Sequence, residues 1–257
     1  MISLFSTPAS AEDGAHWWSG DWYLTLGATA FRAPEFNGDD NYIFQASPLI
    51  SIGRAGKAVR FSSRNDNPSF AFIDTDAFRA GAAGKLIFKR DKDTSSDLAG
   101  LEDVRFGGEL GGFAEVYPTD WLRARAEVRK GIRSHHGVVA DVAVDGFIDL
   151  TDNLRVSGGP RVSFATADYF DAYYGVDAAE SVASGLAQYT PGGGMKSAGI
   201  GTAITWKPTE KIETTAFAEY ERLTGPAADS SLVEQRGSKN QFIFGLSATY
   251  RFDFTLN

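Results

Sequence analysis

Three histidines are the first candidates for chemistry in this chain of 257 residues. His16 lies near the N-terminus, and His135 and His136 directly follow Ser134. A serine nucleophile requires an imidazole within hydrogen-bond reach and a third group that orients the ring. Neighbouring side chains on a turn diverge, and no nucleophile-elbow motif is present. A hydrolase that uses His135 or His136 is therefore a minor alternative to a solvated loop, and we predict no catalytic residue.

Carboxylates are the second candidates, either as an acid/base pair or as metal ligands. Residues two or four apart on a β-strand point to the same face, and the acidic residues share that spacing with several arginines. We therefore favour a structural ion-pair network over a metal cluster, and we predict no metal site and no cofactor. The candidate carboxylates are Glu127, Asp141, Asp145, Asp149 and Glu219. The predicted network consists of Arg123, Arg125, Glu127, Arg129, Asp141, Asp145, Arg155 and Arg161.

The elements that would position these side chains are long β-strands. From Gln241 to Phe254 apolar and polar residues alternate, and only Ile243 interrupts the polar face. Strands of globular proteins usually span about five or six residues. A longer strand that is apolar on one side and charged on the other suits a tilted membrane crossing. The segment predicts the last strand of a transmembrane β-barrel, with lipid outside and a wet lumen inside.

The same period of two recurs along much of the chain. Residues 122–129 form a basic strand pattern, and residues 138–149 form an acidic one. Adjacent strands of opposite charge can neutralise each other across the ladder, so the network charges are predicted to line the lumen. An antiparallel sandwich with one solvated face is the alternative fold, but its strands would be shorter.

The connections alternate in length, as in bacterial barrels with short periplasmic turns and longer outer loops. Short turns are predicted at 54–56, 74–76, 118–120, near 152 and at 208–210, and longer loops at 34–42, 91–104, 166–195 and 225–239. Strict alternation requires an even number of strands. We therefore predict an all-β, antiparallel transmembrane β-barrel of about twelve strands. Ten is the fallback, because the strands near Val59 and Phe70 have the weakest patterns.

Composition excludes several classes of protein. The net charge of −8 argues against a nucleic-acid partner, because nucleic-acid binders carry a basic face. Cysteine is absent, so the chain can form neither a disulfide nor a thiolate metal site. No apolar run reaches the roughly 18 residues that a membrane helix needs.

The N-terminal residues have the form of a processed leader. Ala9, Ser10 and Ala11 precede Glu12 and Asp13, which is the small-x-small pattern of a signal-peptidase site. We predict that residues 1–11 are the remnant of a secretory signal peptide and that residues 12–257 form a single outer-membrane domain. The expected location is the outer membrane of a Gram-negative bacterium, with membrane lipid and lipopolysaccharide as surroundings.

The segment 167–176 is denser in aromatic residues than an exposed loop normally is. A buried tyrosine contributes apolar area and a hydroxyl that needs a partner. The loop is predicted either to fold over the barrel mouth or to present a binding surface, and packing is favoured.

The long loop carries one set of motif residues: Tyr169, Tyr173, Tyr174, Gly175, Val176, Ser184, Gly185 and Leu186, followed by Tyr189. Three further stretches are 34–38, 101–104, and Leu223 with 228–230 before the closing strand at 250–252. Together these motifs resemble the MipA/OmpV family of outer-membrane proteins. The loop match is the most specific, and the others follow the family order through most of the mature chain. Ser231 stands where the family usually has a proline, and the chain continues past Phe252 to Asn257.

The resemblance implies a noncatalytic scaffold. One member of the family bridges a lytic transglycosylase and a bifunctional murein synthase, and other members are described as surface antigens, adhesins or porin-like proteins. The family supplies no catalytic residues. We therefore predict a scaffold for peptidoglycan-remodelling enzymes, with a narrow porin-like channel or a solute-binding barrel as the alternative.

Overall fold

The computed structural model of this protein describes residues 19–54 and 60–256, and the statements below refer to those residues. They form one antiparallel sheet of eleven strands and a group of short helices. The strands are β1 (Gly20–Pro34), β2 (Tyr42–Arg54), β3 (Ser69–Asp74), β4 (Phe78–Ile87), β5 (Gly107–Thr119), β6 (Leu122–Ile132), β7 (Val138–Thr151), β8 (Leu154–Ala165), β9 (Gly194–Trp206), β10 (Ile212–Leu223) and β11 (Asn240–Leu256). The helices are a 3₁₀ turn (Ser96–Leu98), α1 (Ala167–Tyr174), α2 (Ala178–Ser184), α3 (Gly225–Ala228) and α4 (Ser231–Arg236).

The strand order is β2-β1-β11-β10-β9-β8-β7-β6-β5-β4-β3. Each neighbouring pair is also consecutive in the chain, except for β1 and β11 at the two ends of the sequence. Their pairing runs from Gly20 opposite Leu256 to Arg32 opposite Phe244. The predicted all-β antiparallel architecture is therefore confirmed. Strands β2 and β3 are the two edges of the sheet, and no pairing joins them within the described residues.

The predicted number of strands, twelve or ten, does not match the eleven that the described residues form. The difference lies between β2 and β3. Val59, the centre of one weakly predicted strand, is outside the described residues, but residues 60–68 belong to no strand. Their sequence is mostly polar and ends at Pro68, which cannot donate to a ladder. The strand predicted near Phe70 is present as β3, which has only six residues.

The connections follow the predicted alternation. Short ones link β3 to β4, β5 to β6, β7 to β8 and β9 to β10, while the longer ones carry all of the helices. None of the described helices combines the length and the apolar character needed to span a membrane. Residues 1–18, which include the predicted leader and His16, are outside the described part of the chain.

The two faces of the sheet reverse the pattern of a soluble protein. In β6 the arginine side chains are buried, with Arg123 and Arg129 each 1% exposed, while Val128 on the other face is 54% exposed. Apolar residues on other strands are similarly exposed, as in Phe44 at 81% and Leu246 at 65%. We call the face of Arg123, Arg125 and Arg129 the inner face, and the apolar one the outer face. Successive side chains of a strand point to opposite faces of the sheet. The alternating sequence therefore places charged residues on the inner face and apolar residues on the outer face.

Candidate functional site

The inner face holds a buried cluster of five guanidinium groups and six carboxylates, which we call the ion-pair cluster. Most of its members come from neighbouring strands β5, β6, β7 and β8, where residues of one parity face inward. One carboxylate, Asp66, comes from the segment between β2 and β3. The cluster consists of Arg79, Arg123, Arg125, Arg129, Arg161, Asp66, Glu109, Glu115, Glu127, Asp141 and Asp145.

Arg129 forms hydrogen bonds with three carboxylates of the ion-pair cluster. Its Nε donates to Glu109 Oε2 at 2.9 Å, its Nη1 to Glu127 Oε2 at 2.5 Å and its Nη2 to Asp141 Oδ2 at 2.5 Å. Asp141 also accepts a hydrogen bond of 2.6 Å from Ser163 Oγ. One guanidinium thus joins β5, β6 and β7. The planar fork of arginine suits this arrangement, because its donors point in fixed directions.

Arg125 and Arg123 extend the ion-pair cluster along β6. Arg125 Nη1 donates to Glu115 Oε2 at 2.9 Å, and its Nη2 donates to Glu127 Oε1 at 2.6 Å. Arg123 Nη2 donates to Asp145 Oδ2 at 2.7 Å, and Arg161 contacts the other oxygen of Asp145 at 3.0 Å. The cluster is therefore continuous, and each of its six carboxylates has an arginine partner.

Seven of the eight sequence-predicted network residues lie in this cluster, and Arg155 does not. Arg155 pairs with Asp149 through Nε and Oδ1 at 2.7 Å near the turn between β7 and β8. Both side chains are partly exposed, at 30% and 58%. Arg79 of β4, Glu109 and Glu115 of β5, and Asp66 belong to the cluster but were not predicted from the sequence.

Residues 60–68, which we call the interior segment, lie against the inner face. Asp66 accepts two hydrogen bonds from Arg123, at 2.6 and 2.9 Å. Ser63 Oγ is 2.6 Å from Arg161 on β8, and Asn67 Nδ2 donates to Glu127 at 2.8 Å. Phe61 stacks on Phe147 of β7, with ring centroids 4.4 Å apart. The segment is therefore fixed by side chains from β6, β7 and β8.

Arg64 shows that the sheet curves around the interior segment. Its Nη1 is 3.1 Å from Glu219 Oε1 on β10, and its Cζ lies 4.1 Å from the ring centroid of Phe217 and 5.3 Å from that of Phe31 on β1. Strands β1 and β10 are far from β6 in the sheet order. A single short segment can reach all of them only because the inner face is concave.

His135 is not in a solvated loop, which corrects the sequence-based interpretation. Its side chain is fully buried, and its Nε2 lies 3.1 Å from Glu109 Oε1. The ring also makes an edge contact with Tyr169, at a centroid distance of 5.0 Å. The neighbouring His136 is exposed. Ser134 Oγ is buried without a hydrogen-bond partner among the described atoms, so no Ser134–His135 pair is formed.

The long connections pack into one structure, which we call the outer cap: residues 35–41, 88–106, 166–193 and 224–239. The motifs that resemble the MipA/OmpV family meet there. Tyr169, Phe170 and Tyr174 of α1 are buried with Leu223 and Val233. A second cluster consists of Phe36, Leu98, Val176, Leu186 and Leu232. Burial of these apolar side chains is what gives the cap its own hydrophobic core.

Hydrogen bonds between the four connections fix the outer cap. Tyr174 Oη donates to the carbonyl of Asn37 at 3.1 Å, and Ser230 Oγ donates to the carbonyl of Tyr174 at 2.8 Å. Arg236 donates to the carbonyls of Asp97 and Ser184. Because every one of these bonds links two different connections, the cap behaves as a unit.

The other loop-motif residues shape the chain around α1 and α2. Gly175 follows α1, and Val176 pairs with Tyr189 in an isolated bridge. Ser184 Oγ donates to the carbonyl of Glu180 at 2.6 Å. Gly185 ends α2 with a φ of 78°, a left-handed conformation that costs little only for glycine.

Burial keeps the cap tyrosines neutral. It raises the pKa of Tyr173 to about 12 and raises the pKa of Tyr169 and Tyr174 well above the ordinary value. These hydroxyls therefore remain hydrogen-bond donors at any physiological pH. Asp39, also in the outer cap, has its pKa raised by burial, with a smaller contribution from the neighbouring charge of Asp97.

Within the described residues, one group of carboxylates has a spacing compatible with a metal ion: Asp39, Asp40 and Asp97 each offer an oxygen within 4.8 Å of the others. Asn41 Nδ2 already contacts two of them, Asp39 Oδ1 at 3.3 Å and Asp97 Oδ2 at 3.4 Å. The other oxygen of Asp39, Oδ2, is buried without a hydrogen-bond partner among the described atoms. Carboxylate spacing alone does not establish a metal site, so we assign none.

Helix α2 should depend on its capping box. The Asp177 side chain accepts from Glu180 N at 2.7 Å, and Glu180 Oε2 accepts from Asp177 N at 2.8 Å. We expect Asp177→Ala to destabilise helix α2 within the outer cap by about 1 kcal/mol. The measurement is the rate of proteolysis of the outer loops. Asp168→Ala is the control, because no side chain caps α1. Equal proteolysis of both variants would contradict the prediction.

Comparisons with known proteins agree with the motifs. A family model described as MltA-interacting protein MipA matches residues 26–252. Outer membrane protein Omp26La of Vibrio anguillarum is 24% identical over 237 residues, which cover 91% of this chain and 87% of that protein. Outer membrane protein OmpV of Vibrio cholerae is 25% identical over 237 residues, which cover 91% of this chain and 87% of that protein.

Solved structures give weaker similarity. A bacterial polysaccharide outer membrane secretin matches with a TM-score of 0.42 at 10% identity, covering 91% of this chain and 99% of that chain. The NanC porin matches with a TM-score of 0.41 at 8% identity, covering 89% and 98%. At these scores the similarity supports no statement about function.

Proposed function

Because this chain belongs to the family described as MltA-interacting protein MipA, we propose that it is a noncatalytic scaffold for peptidoglycan-remodelling enzymes. It is an outer-membrane protein, as its relatives are. The family description supports a lytic transglycosylase as one partner. A bifunctional murein synthase is the second partner that we propose.

The observation that best supports a scaffold is the occupied inner face. Ion pairs and the interior segment take up the position where a pore or a substrate site would otherwise lie. Arg123, at the centre of this arrangement, is 1% exposed. His135 is held by Glu109 and has no serine partner. A protein arranged in this way would act through its surfaces.

We further propose that the sheet closes into a transmembrane barrel. The concave inner face and the apolar outer face support closure, because an open edge in lipid would leave backbone N–H and C=O groups without partners. Closure predicts slow hydrogen exchange for the amides of both β2 and β3. Rapid exchange along the whole length of both strands would contradict it.

The short connections are the surfaces that we assign to the partners, because they lie on the periplasmic side in the barrel arrangement. Trp121, in the turn between β5 and β6, is 54% exposed, and a large exposed aromatic residue is a common anchor in interfaces. Residues 207–211 form the second candidate surface, between β9 and β10.

Crosslinking in intact envelopes followed by purification of the barrel tests the scaffold. We expect a lytic transglycosylase or a murein synthase to be enriched above the level found with an unrelated barrel. Trp121→Ser combined with Gly-Ser replacement of residues 208–210 should reduce the enrichment. Replacement of exposed Lys92 and Asp93 in an outer loop is the control and should have no effect. Recovery of only lipopolysaccharide and assembly factors would contradict the scaffold.

A narrow porin-like channel or a solute-binding barrel is the alternative function. The charged inner face supports it, since such charges select ions in pores. A channel predicts ion conductance in planar bilayers, with an ion selectivity that Arg125→Glu shifts towards cations. Silence over many insertions of the unaltered protein would remove the channel.

A further inference from the structure

Arg90, in the outer cap, is a buried cation without a hydrogen-bond acceptor. The residue is 9% exposed, and its Nε has no hydrogen-bond partner. Within residues 19–54 and 60–256, no carboxylate or carbonyl accepts from its guanidinium, although its backbone pairs with Val104. A guanidinium carries five N–H donors. Burial of that charge without an acceptor is costly unless something else compensates for it.

Two aromatic rings surround the Arg90 guanidinium. Its Cζ lies 5.1 Å from the ring centroid of Tyr173 and 5.5 Å from that of Phe36. Such cation–π contacts stabilise the charge, but a ring face cannot replace an in-plane acceptor for the N–H groups. The in-plane donors of Arg90 are therefore available to a ligand.

The nearby carboxylates are engaged elsewhere. Glu180 accepts from the backbone N–H of Glu102 at 2.7 Å and from that of Asp177 at 2.8 Å. Asp91 is in contact with Lys89 and accepts from Thr94 at 3.2 Å. Burial accordingly lowers the pKa of Arg90. Glu180 is the one carboxylate close enough to favour the Arg90 charge, and within the described residues it makes no ion pair with the guanidinium.

Tyr173 provides a further donor beside Arg90. It stacks on Tyr169 with ring centroids 4.6 Å apart, and its hydroxyl has no hydrogen bond within the described residues and stays protonated. Lys196 Nζ contacts the other ring of this pair, at 5.8 Å from the Tyr169 centroid, and the carboxylates Glu221, Asp141 and Glu109 already stabilise its charge. Arg90 and the Tyr173 hydroxyl are therefore the donors without acceptors on this side of the aromatic pair.

We propose that Arg90 and the hydroxyl of Tyr173 form a binding site for the oxyanion group of a small ligand, either a carboxylate or a phosphate. The fork of Arg90 binds two oxygens of the anion, as guanidinium groups do with both chemical classes. The Tyr173 hydroxyl adds a neutral donor to the same group. This site is separate from the surfaces assigned to the scaffold partners.

Calorimetric titration of the purified, refolded protein tests the site. The probes are inorganic phosphate and glucuronate, each added at constant ionic strength. Arg90→Gln should weaken binding of the preferred probe about tenfold or more, because a charge-assisted hydrogen bond is lost. Arg105→Gln is the matched control: Arg105 is exposed in the same connection and undergoes the same change of charge.

Further variants and the two probes decide the remaining outcomes. Arg90→Lys retains the charge without the fork, so binding should also weaken, and Tyr173→Phe should weaken it independently because it removes only the hydroxyl. If Arg90→Gln fails to refold, these two variants carry the test. Binding of phosphate alone or of glucuronate alone would identify the chemical class. The site is refuted if neither probe binds saturably, or if the Arg90 and Tyr173 variants bind like Arg105→Gln.

Discussion

Replacing Arg129 with methionine is expected to lower the free energy of unfolding by about 3–5 kcal/mol, the cost of removing one partner from a buried ion pair. Three carboxylates, Glu109, Glu127 and Asp141, would lose a hydrogen-bonded cation at once. Methionine retains much of the side-chain volume, so the change isolates the loss of charge. The measurement is urea unfolding of the refolded protein in detergent, monitored by tryptophan fluorescence.

Arg155→Met is the control for this prediction. Arg155 also pairs with an aspartate on the neighbouring strand, but its partner Asp149 is 58% exposed. Exposed pairs contribute about 0–1 kcal/mol, so this variant should unfold near the unaltered protein. An equal loss in the free energy of unfolding of both variants would show that burial does not determine how much the ion-pair cluster stabilises the protein.

Asp66→Asn is expected to release the interior segment from the inner face. Asp66 is the segment's bidentate anchor on Arg123, and its neutralisation leaves a buried guanidinium with one fewer anionic partner. A loss of about 3 kcal/mol would shift the equilibrium between docked and released segments by roughly 100-fold. We expect faster hydrogen exchange of residues 60–68 and an increase in ion conductance across planar bilayers.

Asp76→Asn is the matched control for the interior segment. Asp76 contacts the same segment through Arg60, but the two atoms are 3.6 Å apart and the Asp76 side chain is fully exposed. This variant should leave exchange and conductance unchanged. If Asp66→Asn behaved identically, the Arg123 contact would not hold the segment in place.

The periodic pattern of the chain was sufficient for the architecture. Alternation over segments such as 122–129 and 241–254 predicted long antiparallel strands, because one face must be apolar and the other polar. The family resemblance is confirmed by the match over residues 26–252, and the outer-membrane location by the named relatives. These features follow from local sequence, so one chain was enough to predict them.

The interior segment was not predictable in the same way. The alternation of connection lengths predicts a strand near Val59 and does not predict that residues 60–68 bind the inner face. Their polar side chains contact groups on strands distant in sequence. The burial of His135 was not predictable for the same reason, because its partner Glu109 lies 26 positions earlier in the chain. Glu109 and Glu115 could have been found by their even spacing on β5. Their arginine partners follow only from the strand register.

The predicted loop residues illustrate a third case. Resemblance selected Tyr173, Tyr174 and Leu186 as a group, but it contained no information on their neighbours. The contacts with Phe36 and Arg90 depend on how four connections fold against one another. The proposed anion site was therefore beyond the reach of sequence analysis.

The pairing of β1 with β11 has a consequence for the order of folding. Gly20 is opposite Leu256, so this ladder joins the two ends of the described chain. Every other strand pair is local in sequence and can form as a hairpin, but this contact requires closure of a loop that contains all the remaining strands. Closure of such a loop is slow and entropically unfavourable. A chain that lacks β11 would keep β1 as an open edge able to pair with other molecules, so full-length synthesis must precede completion of the sheet.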